Sequence, residues 1–122
     1  MIDNEFLKKL RDAFKTEAEE RLKNISSSLA ELEETSLSVD KQMPLVEIIF
    51  REAHSLKGAS RVVNLADIEN ICQSVEETFN SLKGGEIQLS PEVFEKVHYM
   101  VDIIEHALEN FEKDQVTVRG VA

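Results

Sequence analysis

The chain has 122 residues, 42% of them hydrophobic, and carries 14 basic against 24 acidic side chains for a net charge of −10. That length suits one domain with one core, and that apolar content predicts folding rather than disorder. Such an acidic surface argues against nucleic acid or an anionic membrane as partners, and no run of 18 apolar residues is present to span a bilayer.

Residues 1–30 alternate charged and apolar positions without the apolar core of a signal peptide, so no leader is expected. The single Cys72 forms no internal disulfide, which points to the cytosol. Four Gly, two Pro and few aromatics favour helix over sheet.

The first helix is expected from about Asn4 to Glu34, where Leu7, Leu10, Phe14, Ala18, Leu22, Ile25, Leu29 and Leu32 recur every three or four residues. A polar connector follows from Thr35 to Met43, and Pro44 suits the first turn of a second helix ending near Val63. Asn64 is expected to cap a third helix, with Asp67 three positions on as a variant capping box. Leu65, Ile68, Ile71, Cys72, Val75, Phe79 and Leu82 form its apolar face, and Gly84-Gly85 stops it.

Ser90-Pro91 reads as an N-cap followed by Pro at the first helical position. The fourth helix then presents Val93, Phe94, Val97, Met100, Val101, Ile104, Leu108 and Phe111. The first helix, about ten residues longer than the others, is expected to overhang the bundle or break near its end. Four amphipathic helices with mostly short connections imply an all-α, antiparallel up-down four-helix bundle over residues 1–113. Residues 114–122 are expected to be a flexible tail or the start of a linker.

In the second helix Leu45, Ile49, Ala53, Leu56, Ser60 and Val63 share one face at about 100° per residue. His54 points about 130° away from the middle of that stripe. It shares its face with Glu47, Phe50, Arg51, Lys57, Gly58 and Arg61. An outward imidazole beside cations and a glycine is a reactive surface rather than packing.

The second and third helices form a hairpin turning near Asn64-Leu65. Eleven residues back from Leu65 is His54, and eleven forward is Glu76, so the two lie level in an antiparallel pair. A carboxylate on one ring nitrogen fixes the tautomer and makes the other nitrogen the better nucleophile. Lys57, one turn after His54, is placed to neutralise a phosphoryl group or to hold Glu76. Gly58 costs roughly 1 kcal/mol in a helix relative to Ala, a cost offset if another protein's backbone must come close. Phe50 offers a partner an apolar foothold at the edge of this face.

The run Phe50-Arg-Glu-Ala-His54-Ser-Leu-Lys57-Gly58-Ala-Ser60 resembles the motif of histidine phosphotransfer (HPt) domains, most closely the N-terminal domain of CheA-type chemotaxis histidine kinases. The stretch from Glu5-Phe6-Leu7 to Leu32-Glu33 is similar to the first helix of that subfamily, so the likeness covers about residues 3–110. The resemblance implies a four-helix bundle with His54 phosphorylated and Glu76, Lys57 and Gly58 in support. It implies as partners a kinase ATP-binding domain and a response-regulator receiver, with no cofactor or metal held by this chain. Phe50, Arg51 and Arg61 would meet the partner. One departure is Gln73, where the subfamily often has a second histidine, so a simpler network around His54 is expected. The subfamily's version can also carry a fifth helix. Met1, at the start of the motif-bearing domain, suggests the N-terminus of a larger kinase.

Two other classes stand beside this one. A docking bundle with an inert His54 would bind partners without accepting a phosphoryl group. An enzyme using His54 and Glu76 as a general base would need a pocket, which a convex helix face does not provide. His98 and His106 lack the i, i+4 spacing of a helical metal pair and read as structural or incidental. Cys72 reads as a small core residue, and the glutamate runs Glu17–Glu20 and Glu31–Glu34 as solvated faces.

Overall fold

The computed structural model describes residues 3–34 and 37–111. Four helices account for most of them: α1 (Asn4–Leu32), α2 (Val39–Val62), α3 (Ala66–Lys83) and α4 (Pro91–Asn110). Each packs on the next in sequence and α4 closes on α1, which gives the antiparallel up-down bundle expected from the stripes. Among the described residues, no helix is long and apolar enough to cross a membrane.

The predicted stripes meet on the bundle axis. Phe79, Ile25, Leu29, Ile49, Leu56, Ile104, Val46, Val75 and Val97 are all buried to below 2% exposure. Each such side chain contributes about 1.5–3 kcal/mol by leaving water. Helix α1 runs unbroken, starting from Asp3, whose carboxylate accepts the Phe6 N–H at 2.7 Å. Its full burial begins only at Phe14, which meets the edge of Phe111 at a ring distance of 5.6 Å. Leu7 and Leu10 are half-buried and Phe6 is exposed, so the overhang lies at the N-terminal end of α1. The predicted tail, residues 114–122, and Thr35 at the start of the predicted connector lie outside the described residues.

Two boundaries differ from the sequence expectation. Helix α2 starts at Val39, not at Pro44, so the second half of the predicted connector is helical. Pro44 is then inside the helix, where it withholds one hydrogen bond from the Asp40 carbonyl. Both residues are exposed, so the proline sits on the solvent side of the helix, and Asp40 in the first turn suits the positive end of the helix dipole.

Asn64 is not the N-cap of α3 either. It has φ +60° and terminates α2 as a left-handed residue, a conformation that Asn tolerates better than most residues. Its N–H bonds the Arg61 carbonyl at 3.1 Å, and the Leu65 N–H bonds the Ser60 carbonyl at 2.9 Å. These are the two bonds of a Schellman motif. Leu65 therefore occupies the N-cap position of α3 without a capping side chain.

The other two signals act as predicted. Gly85, at φ +74°, closes α3 by the same motif, and the Ser90 hydroxyl accepts the Val93 N–H at 3.2 Å ahead of α4.

Candidate functional site

The Schellman turn joins α2 to α3 with almost no slack, so positions equidistant from Leu65 face each other along the seam. His54 and Glu76 are such a pair. The His54 ring is 63% exposed, and its Nδ1 lies 3.2 Å from Glu76 Oε1. An ionised carboxylate can only accept a hydrogen bond, so the shared proton sits on Nδ1. Nε2 then keeps its lone pair, and it has no hydrogen-bond partner among the described residues.

Glu76 is the deeper partner, at 15% exposure. Burial pushes its carboxyl up, but bonds from Lys57 and His54 outweigh that and hold it below the ordinary carboxylate value. The Lys57 ammonium lies 2.7 Å from Glu76 Oε2, an atom otherwise closed off, and meets it as an ion pair away from the ideal hydrogen-bond direction. Lys57 and Gln73 are again equidistant from Leu65, and Lys57 donates to Gln73 Oε1 at 2.9 Å. Of the two roles open to Lys57, the structure displays the second: it holds Glu76. Gly58 adds nothing to the packing, since a Cβ built there would meet nothing within 4 Å. The surface beside the imidazole is therefore open to a large incoming group.

The Hpt domain family model matches residues 9–113. The chain belongs to the Hpt domain family. It is 29% identical over 102 residues to the sensor histidine kinase CheAY of Helicobacter pylori, an alignment covering 84% of this chain and 12% of that protein. It is 26% identical over 101 residues to the chemotaxis protein CheA of Halobacterium salinarum, covering 83% of this chain and 14% of that protein. The chain thus spans only a small part of the length of these relatives. In fold it is similar to the CheA phosphotransferase domain from Thermotoga maritima, with a TM-score of 0.76 at 24% identity over 84% of this chain and 93% of that one.

On this Hpt domain the remaining predicted residues divide. Phe50 is half-buried against the core, and one face of its ring is covered by the Lys83 ammonium at 4.2 Å. Lys83 in turn sits 2.7 Å from Glu47 Oε2, a third pair equidistant from Leu65. Arg51 donates to Glu47 from the other side at 2.8 Å. Bonds from Lys83 first and Arg51 second hold the Glu47 carboxyl below its ordinary value. Phe50 is therefore an apolar edge beneath a charged lid. Arg61 is exposed and has no ion pair among the described residues. Neither Arg51 nor Arg61 enters the His54 network.

His98 and His106, on α4, lie away from this seam. His98 Nε2 contacts Glu33 Oε1 and ties α4 to the end of α1, while the His106 ring, 79% exposed, is 4.0 Å from Glu109. Cys72 is buried, and desolvation pushes its thiol up to about 12, which keeps it an unreactive core residue. Among the described residues no group of three or more His, Cys, Asp or Glu side chains could hold a metal ion.

Sequence reasoning placed Glu47 on the His54 face without a partner, and passed over Lys83 and Glu77. Glu47 and Lys83 carry the same equal spacing about Leu65 that reveals His54 and Glu76. Glu77 lies one turn after Gln73 on α3 and accepts from its Nε2 at 2.8 Å.

Proposed function

We propose that this Hpt domain is the phosphoryl carrier of a chemotaxis-type phosphorelay, with His54 as the phosphoacceptor. The observation that carries this is the division of the ring: Nδ1 is engaged by Glu76, while Nε2 is left open beside Gly58.

The Nε2 lone pair attacks the γ-phosphorus of ATP held by a kinase catalytic domain, a nitrogen–phosphorus bond forms, and ADP leaves. The ring keeps its Nδ1 proton and becomes cationic, and the Glu76 carboxylate stabilises that charge. In the second transfer a receiver aspartate attacks the phosphorus, the nitrogen–phosphorus bond breaks, and a neutral imidazole leaves. The receiver supplies the nucleophilic carboxylate and its Mg²⁺. Lys57 holds Glu76 in place and offsets part of the roughly two negative charges a phosphoryl group adds.

On this reading Gly58 leaves room for both partners, and Phe50, Arg51 and Arg61 border the surface they meet. The domain is a carrier and substrate, works in the cytoplasm and belongs to a larger kinase.

The test is phosphorylation of the domain by a CheA-type catalytic core with ATP and, separately, by phosphoramidate, with intact mass as the readout. One acid-labile phosphoryl group on the wild type and none on His54→Gln is the expected result. Failure of both donors to label the folded wild type would overturn the carrier reading and leave a docking bundle.

A further inference from the structure

Lys57 holds Glu76, and the Lys57 ammonium is itself held in the seam. It has two partners there: an ion pair with Glu76 Oε2 at 2.7 Å and a hydrogen bond to Gln73 Oε1 at 2.9 Å. Gln73 is an amide, with an acceptor at one end and a donor at the other. Turned through 180° it would present its NH2 to the ammonium and repel it. The neighbour on its other side reinforces the same orientation. Gln73 Nε2 donates to Glu77 Oε1 at 2.8 Å. An ionised carboxylate takes only donors, so Glu77 admits only the amide orientation that points the Gln73 oxygen at Lys57.

We propose that Glu77 is a positioning residue of the His54 site. It fixes the Gln73 amide, the Gln73 carbonyl anchors the Lys57 ammonium, and the ammonium holds Glu76 against the imidazole. Glu77 thus acts on a ring it does not touch, through three side chains on two helices. The effect on phosphorylation rests on the phosphoacceptor reading of His54; the side-chain relay itself does not.

The relay makes a prediction opposite in sign to simple electrostatics. If Glu77 were only a neighbouring negative charge, its removal would ease ionisation of Glu76 and lower the Glu76 titration point. If Glu77 works by orienting Gln73, its removal loosens Lys57, and the Glu76 titration point rises towards its ordinary value.

The experiment follows the Glu76 carboxyl carbon by NMR across acidic pH in the 122-residue domain. The wild type is compared with Glu77→Leu, Glu77→Gln, Gln73→Leu and the Gln73→Leu/Glu77→Leu double variant. Phosphoramidate labelling rates are taken on the same samples. Gln73 and Glu77 are both exposed, so all four variants are expected to fold, and thermal melting checks this.

Glu77→Leu should raise the Glu76 titration point and slow labelling by about threefold, as expected for one modest hydrogen bond lost at a remove. Glu77→Gln keeps an acceptor oxygen for the Gln73 amide and should stay close to wild type. Glu77→Leu should add nothing in the Gln73→Leu background.

A downward or absent shift of Glu76 in Glu77→Leu would overturn the proposal, as would an effect of equal size in the Gln73→Leu background. If even the wild type takes no label, the phosphoacceptor reading fails, and the titration still decides the relay.

Discussion

At the scale of single residues, the site turns on a carboxylate kept ionised in a half-closed seam. Glu76→Gln keeps an oxygen for the Nδ1 proton but removes the charge that stabilises a cationic ring. Phosphoramidate labelling should therefore fall by about tenfold or more, since hydrogen bonds to charged groups are worth about 1.5–3 kcal/mol. The same side chain links stability to pH. Its native titration point lies below its ordinary value of 4.5, so as pH falls the unfolded chain takes up this proton before the folded one does. The stabilisation is full above the ordinary value and is lost as pH falls through the native one. Urea midpoints measured from pH 7 downwards should show a shallower acid decline in Glu76→Gln. Gly58 gives a prediction of the opposite kind. Nothing lies within 4 Å of the Cβ it lacks, so Gly58→Ala should stabilise the helix by up to about 1 kcal/mol and raise the melting temperature by a few degrees. On the proposed function, phosphotransfer from a kinase core should slow in the same variant, because the added methyl would stand where a partner approaches. A faster transfer would remove the case for Gly58 as clearance.

At the scale of elements, the α2–α3 hairpin carries the whole of the proposed site, and its turn depends on a left-handed residue. Asn64→Ala should cost about 1 kcal/mol, and Asn64→Gly should be close to neutral, both read from denaturant midpoints. The hairpin was largely legible in the sequence. The stripe from Leu45 to Val63 orients His54, and counting from Leu65 finds Glu76, because helices keep an even rise on either side of a tight turn. Asn64 was misread because Asn serves both as an N-cap and as a left-handed C-terminal residue, and only backbone torsion separates the two. The start of α2 was misread because Pro usually marks a first turn. Here the exposed position of Asp40 and Pro44 makes a proline tolerable further in. The lid of Glu47, Arg51 and Lys83 over Phe50 was hidden for a third reason. Long charged side chains have many partners within reach, and spacing alone does not say which they choose.

At the scale of the molecule, the burial is uneven. Helix α2 packs extensively on both α1 and α3, whereas α4 meets its neighbours more sparsely. Backbone amides of α4 should therefore exchange with solvent faster than those in the middle of α2 and α3, as measured by native-state hydrogen exchange. Equal protection in all four helices would show that the bundle opens only as a whole. Because α2 and α3 hold every residue of the His54 network, fluctuations of α4 leave that network in place. The three seam pairs, Glu47 with Lys83, His54 with Glu76 and Lys57 with Gln73, share one register about a single turn. A slip of one residue between the helices would turn α3 by about 100° and break all three together. A register-shifted hairpin would consequently carry none of the three pairs. On the proposed function, a newly made domain would accept a phosphoryl group only once its hairpin has locked in register, and the rate at which label appears during refolding would time that step.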